Sequence, residues 1–206
     1  MRLHEEILTE EQIALLPLLK KFSRNFGMVG GTAIALHLGH RRSIDFDLFT
    51  FEKFNNSAIK NRISNLRKID EIIVDKLGEY TFFTKGVKFT FFHYPYRLDF
   101  SRNFDDFIKI PSLLTLAAMK AHALGRRAKW KDYVDLYFIM KENYGLSEIV
   151  KKAEKVFGGE FNEKLLRSQL AYFEDVSYKE KIEFLPSFEV SDATIKRELV
   201  KFSLET

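Results

Sequence analysis

The sequence predicts an α+β protein: a mixed α/β half over residues 1–108, then an α-helical half over residues 109–206. Between Phe26 and His93, apolar residues recur with the two-residue period of strands, punctuated by Gly-containing turns. Beyond Pro111 the apolar period lengthens to that of amphipathic helices. No repeat and no low-complexity linker interrupts the chain, which suits a sheet half followed directly by a helical one.

Each element has its own signal. Thr9 can cap a first helix whose face is Ile13, Leu15, Leu16, Leu18, Leu19 and Phe22. A short strand, Phe26 to Val29, runs into Gly30-Gly31, after which Thr32 begins a helix that Gly39 stops. Ile44 to Phe49 alternates apolar and acidic residues, a strand with one wet face. Ser57 to Lys68 reads as a helix, followed by strands at Glu71–Leu77, Tyr80–Thr84 and Val87–His93, the last two joined by a Lys85-Gly86 hairpin. Pro95 takes the chain out of the sheet, with a return near Leu98 to Phe100. Helices are then expected at 112–124, 129–143, 147–157, 162–173 and 192–202.

Composition bounds the function. The chain has no cysteine, which excludes a disulfide framework and any thiolate metal site. No apolar run reaches the roughly 20 residues that span a bilayer, and the acidic N-terminus is not a secretory signal, so a cytoplasmic protein is expected. The net charge of +4 favours a polyanionic partner only weakly. The cations are grouped, however: His40, Arg41 and Arg42 abut the acidic strand, and Lys120, Arg126, Arg127, Lys129 and Lys131 follow one another without an acid.

The acidic strand carries the chemistry. Alternation puts Asp45 and Asp47 on one face, where two close carboxylates repel unless a cation lies between them. Such hard oxygen donors suit Mg²⁺, which takes one or two carboxylates and completes its shell with water and substrate phosphates. The preceding Gly30-Gly31 turn opens a helix whose free N–H groups form a phosphate cradle, with Thr32 and Arg42 as further candidate nucleotide contacts. In the helical half, Lys120 lies in an apolar stripe, and Asp135 interrupts the apolar run Tyr133–Met140. Two compatible readings stay open: a buried ion pair between facing helices, and a lysine that reaches a triphosphate while the aspartate orients it or the attacking hydroxyl.

These residues carry a resemblance. "GGTAIALHLGHRRSIDFDLF" is similar to the nucleotide-binding motif of the AbiEii-type nucleotidyltransferases, a branch of the DNA polymerase β-like superfamily, through Gly30, Gly31, Ser43, Asp45, Asp47, Leu48 and Phe49. "AAMKAHALGRRAKWKDYVDLYFIM" resembles the family's second signature through Lys120, Arg127, Lys131, Asp132, Asp135 and Leu136, and "VKFTFFHYPYRLDF" resembles its intervening strand. The resemblance implies a polymerase β-like mixed sheet with flanking helices and a C-terminal helical bundle that completes the active site. It implies transfer of NMP from an NTP to an acceptor hydroxyl, with tRNA 3′ ends among the family's acceptors. Many relatives are toxins with a cognate antitoxin or act in phage defence. Carried over, Asp45 and Asp47 hold Mg²⁺ and the triphosphate, Gly30, Gly31 and Ser43 line the phosphate path, and Lys120 and Asp135 are the further essential pair. Arg41, Arg126, Arg127, Lys129 and Lys131, with Arg42, suit an RNA backbone.

One departure stands out: the wider superfamily places a third carboxylate on a neighbouring strand, and "VKFTFFH" contains none. Two alternatives follow, the same transfer to a small molecule or protein, or a non-catalytic nucleotide- or protein-binding module. His37 and His40 are too few for a zinc site, and Trp130, Tyr133, Tyr137 and Phe138 read as helix core. Tyr94 and Tyr96 flank Pro95, where base stacking is open.

Overall fold

The computed structural model describes residues 3–205. They form two compact units: the residues through His37 with Ser43–Ser112, and Leu38–Arg42 with the chain from Leu113 onward. The first unit thus extends past residue 108 and lacks the five residues before Ser43, which the helical unit claims.

In the first unit, α1 (Glu10–Lys20) starts at a capping box in which Thr9 and Gln12 satisfy each other's backbone N–H. The chain continues through β1 (Gly27–Val29), α2 (Gly30–Leu38), β2 (Phe46–Thr50), α3 (Asn56–Ser64), β3 (Glu71–Lys76), β4 (Glu79–Thr84) and β5 (Val87–His93). The sheet order is β1-β2-β5-β4-β3, with β2 and β5 parallel and every other neighbour antiparallel. The parallel pair needs a crossover, which α3 and the β3–β4 hairpin supply.

The sheet is two-faced. Met28, Phe46, Leu48, Tyr80, Phe82, Phe89 and Phe91 share one face and are fully buried. The rings of Phe22 and Phe26, which follow α1, pack edge-on against Phe91 on that face. The opposite face carries Asp47 and Phe49 on β2 and Lys88, Thr90 and Phe92 on β5. A separate hairpin, β6 (Arg102–Phe104) with β7 (Ile108–Ile110), replaces the strand expected near Leu98–Phe100. Its turn places Asp105 at φ 44°, a left-handed conformation that aspartate tolerates better than most residues.

The second unit holds α4 (Leu113–Leu124), α5 (Trp130–Glu142), α6 (Leu146–Phe157), α7 (Glu163–Ala171) and α8 (Asp192–Leu204). Helix α5 is buried from Asp132 to Met140. Its aromatic residues are core, as expected: Trp130 donates to Asp192, and Tyr133 to Gln169. The Leu38–Arg42 segment joins this unit through a short ladder, with Arg42 N–H donating to Glu183 O and Leu185 N–H to His40 O. No helix among the described residues is long and apolar enough to cross a membrane.

Candidate active site

The acidic strand is positioned from behind. Thr32, 1% exposed on α2, turns its hydroxyl onto Ser43 Oγ and onto the backbone carbonyls of Ser43 and Asp45. Gln12, fully buried on α1, donates from Nε2 to Ser43 O at 3.0 Å. Thr32, a candidate nucleotide contact from the sequence, thus holds the backbone that leads into β2. In the sequence Gln12 reads as a first-turn residue after the Thr9 cap, and its contact with Ser43 is not apparent there.

Asp47 and Gly30 are built for each other. Asp47 pairs with Val29 across β1–β2, which sets its carboxylate against the first residue of α2. A Cβ at Gly30 would lie 2.2 Å from Asp47 Oδ2, and Gly30 has φ +76°, so only glycine fits. The helix begins at Gly30 itself, two residues earlier than Thr32. Its first N–H groups, the cradle inferred from the Gly-Gly pair, thus start beside Asp47.

Asp45 has a partner that the sequence did not reveal. Lys88 Nζ lies 2.5 Å from Asp45 Oδ2, and both side chains are partly exposed. The parallel register, Phe46 beside Phe89, brings Lys88 next to Asp45 and Thr90 next to Asp47. The neighbouring strand thus presents an ammonium and a hydroxyl where a third carboxylate was sought. The ammonium relieves the repulsion between Asp45 and Asp47 that their spacing creates. Among the described residues no group of three or more His, Asp or Glu is placed to hold a metal. Two same-face carboxylates, one of them already drawn to a cation, are nonetheless the donor set that Mg²⁺ accepts when water and phosphate oxygens complete its shell.

The second cluster lies within the helical unit. Asp135, fully buried, accepts from Arg41 Nε at 2.7 Å, Arg41 Nη2 at 2.9 Å and His40 Nε2 at 2.9 Å, and pairs with Lys120 Nζ at 2.9 Å. Lys120, 6% exposed, also contacts Asp132, which in turn accepts from Arg127. Of the two readings left open for Lys120 and Asp135, the ion pair is present in the structure. Burial opposes the charge on Asp135, but Arg41, Lys120 and the hydrogen bonds outweigh it and hold the carboxyl well below its usual range. Burial likewise opposes the charge on Lys120, yet Asp132 and Asp135 raise its pKa.

Arg41 departs from its expected place on a nucleic-acid surface. It is 3% exposed and committed to Asp135, because a fork-shaped guanidinium is the group that can satisfy a buried carboxylate bidentately. Of the other expected cations, Arg126 is exposed and pairs with Glu160, while Arg42, Lys129 and Lys131 are half-buried and pair with Glu183, Glu180 and Glu180 respectively. Burial opposes ionisation of Glu180, but the hydrogen bonds from Lys129 and Lys131 draw its pKa down to about 2.

His40 gives the helical unit a pH dependence. Burial lowers its pKa, and the raising effect of Asp135 does not restore it. The folded protein holds this ring neutral where the unfolded chain binds a proton, so its contribution is complete above about pH 6.5 and is lost as pH falls through the folded pKa. His122 adds the same sign, since burial lowers it too. Urea denaturation followed by fluorescence of Trp130, the single tryptophan, should show stability declining from pH 7 to 5.5, with a shallower decline in His40→Gln.

Comparisons with known proteins give the chain its relatives. A protein of Aquifex aeolicus (strain VF5), aq_aa25, is 32% identical over 183 residues, covering 86% of this chain and 88% of its own. Among solved structures, JHP933 from Helicobacter pylori superimposes with a TM-score of 0.54 at 17% identity, over 95% of this chain and 91% of that one. MenT4, a nucleotidyltransferase toxin from Mycobacterium tuberculosis H37Rv, gives 0.57 at 13% identity, over 93% and 81%. The fold is accordingly the polymerase β-like one, a mixed sheet with flanking helices followed by a helical part. Since residues 18–198 match the sequence profile of the nucleotidyl transferase AbiEii toxins of type IV toxin–antitoxin systems, the chain belongs to the AbiEii nucleotidyltransferase family.

Proposed function

We propose that the protein transfers NMP from an NTP to a hydroxyl of an RNA acceptor, as the toxin of a toxin–antitoxin pair, with Asp45 and Asp47 as the reaction centre. The observation that carries this reading is the seating of Asp47 against Gly30, which couples a carboxylate to a helix N-terminus. A triphosphate beside Asp47 would find the first N–H groups of α2 within the same small region. Asp45 and Asp47 would hold Mg²⁺, which when bound would supply neutralisation of the phosphate charge. Lys88 is ion-paired with Asp45 in the free protein, and its ammonium is one more positive group near phosphate oxygens. Thr32 and Gln12 hold Ser43 and Asp45 in place, so little reorganisation is needed on binding.

An RNA acceptor is favoured by the exposed cations of the helical unit. Arg126 is 59% and Lys129 41% exposed, and their ion pairs with Glu160 and Glu180 lie at the surface. Surface pairs of this kind contribute about 0–1 kcal/mol and give way readily to phosphate. Lys120 and Asp135 serve in this reading as positioning residues. They hold Arg41, which stands two residues before Ser43 in the sequence.

Purified protein incubated with each α-labelled NTP, Mg²⁺ and total RNA tests the proposal. Label that migrates with RNA and is removed by ribonuclease is expected. Label removed only by protease would transfer the chemistry to a protein acceptor, and no labelled product with any NTP would overturn the reading. Gly30→Ala should lower kcat/KM by about 100-fold, because the new methyl must displace the Asp47 carboxylate. The same variant should lose only about 1–2 kcal/mol of stability in urea denaturation, the order of cost of a non-glycine residue at positive φ.

A further inference from the structure

We propose that Phe49, Phe92 and Tyr94 form a stacking platform for a nucleobase, set beside the carboxylate pair by the register of β2 and β5. The inference rests on the nucleotidyl-transfer reading and adds a site to it. Phe49 follows Asp47 by two residues on β2, so the two side chains share a face about 7 Å apart along the strand. Phe92 pairs with Phe49, as Thr90 pairs with Asp47, and therefore stands on the same face. The ring of Phe49 lies 5.2 Å from that of Phe92 and 5.0 Å from that of Tyr94. Tyr96 extends the row, 5.2 Å beyond Tyr94.

The ring of Phe100 borders the row, lying where a Cβ at Gly27, the cross-strand neighbour of Phe49, would point. On the opposite face, the aromatic residues of the same two strands, Phe46, Phe89 and Phe91, are completely buried. Phe49, Phe92 and Tyr94 are only half-buried, although a wet sheet face is ordinarily built from polar residues. Their mutual angles of 40–54° mean that no ring of the three lies flat on another. A planar base can stack on the half-exposed side of such a row, with its sugar-phosphate directed along β2 toward Asp47. The platform is also held in place: Tyr94 N–H donates to Thr50 O at 2.7 Å, and His93 Nε2 lies 3.0 Å from Phe51 O. The sequence reading had reached Tyr94 and Tyr96 but not the two phenylalanines that join them to the carboxylates.

The base could belong to the NTP or to the last nucleotide of the acceptor, and binding measurements separate the two. Equilibrium dialysis in Mg²⁺ compares wild type, Tyr94→Ala, Phe92→Leu and Tyr94→Phe, with each of the four NTPs, inorganic tripolyphosphate and a fluorescent three-nucleotide RNA as probes. Loss of one stacked base is expected to weaken binding roughly 5- to 150-fold. The expected result is that Tyr94→Ala and Phe92→Leu lose NTP affinity in that range, retain tripolyphosphate affinity, and that Tyr94→Phe behaves as wild type. The same loss confined to the RNA probe would assign the platform to the acceptor's base. Unchanged NTP and RNA binding in both variants would overturn the inference, as would equal loss of NTP and tripolyphosphate. If wild type bound neither NTP nor tripolyphosphate, the nucleotidyl-transfer reading itself would fall, and the platform with it.

Discussion

Asp47→Asn and Asp45→Asn should each lower nucleotidyl transfer by about 1000-fold or more, which corresponds to several kcal/mol of lost charge stabilisation. Each substitution keeps the shape of the side chain and removes only its charge. Asp45 pairs with Lys88 at a partly exposed position, so neutralising it should cost no more than about 1 kcal/mol of stability. Asp47 sits against a glycine that an amide fits as well as a carboxylate. Activity and stability should thus separate cleanly, as kcat/KM and urea denaturation on the same preparations would show. A variant that keeps more than a tenth of wild-type activity would remove its aspartate from the reaction centre.

Asp135→Ala should produce the largest loss of stability. It would strand Arg41 and Lys120, both almost fully buried, without their shared carboxylate. Breaking a buried pair in this way costs about 3–5 kcal/mol, because an uncompensated charge remains in the interior. Glu183→Ala provides the contrast: it removes the partner of Arg42 at an exposed position and should cost at most about 1 kcal/mol. Trp130 fluorescence in urea reports on the helical unit for both variants. The pH dependence carries a matching sign. Because the pKa of Asp135 is depressed in the folded protein, its contribution is complete above about pH 4 and is lost as pH falls through the folded pKa. Equal, small losses in the two variants would show that the cluster is not the polar centre of its unit.

The local features of the site were legible and the non-local ones were not. Alternation alone put Asp45 and Asp47 on one face, since a strand has a fixed period. Gly30 was legible as a turn residue, but its close approach to Asp47 depends on the β1–β2 pairing, which local pattern does not specify. Lys88 reads as one polar position in an apolar run; only the parallel register with β2 makes it the partner of Asp45. Arg41 and His40 looked like a surface basic group because their acidic partner lies on α5, far along the chain. The signal that could have found them was Asp135 itself. An acid inside a run of core residues demands a buried cation, and His40 and Arg41 were available as well as Lys120. The β6–β7 hairpin escaped notice because strands of three residues carry too little periodicity to register.

The test that bears most directly on Asp45 and Asp47 does not need an acceptor. Free Mn²⁺, measured by electron paramagnetic resonance, can be titrated against wild type and the Asp45→Asn/Asp47→Asn double variant in the presence of a non-hydrolysable NTP analogue. Wild type should hold Mn²⁺ together with the nucleotide, and the double variant should leave the free ion at its level with the analogue alone. Undiminished Mn²⁺ binding by the double variant would place the metal–triphosphate site elsewhere and contradict the assignment of the two aspartates.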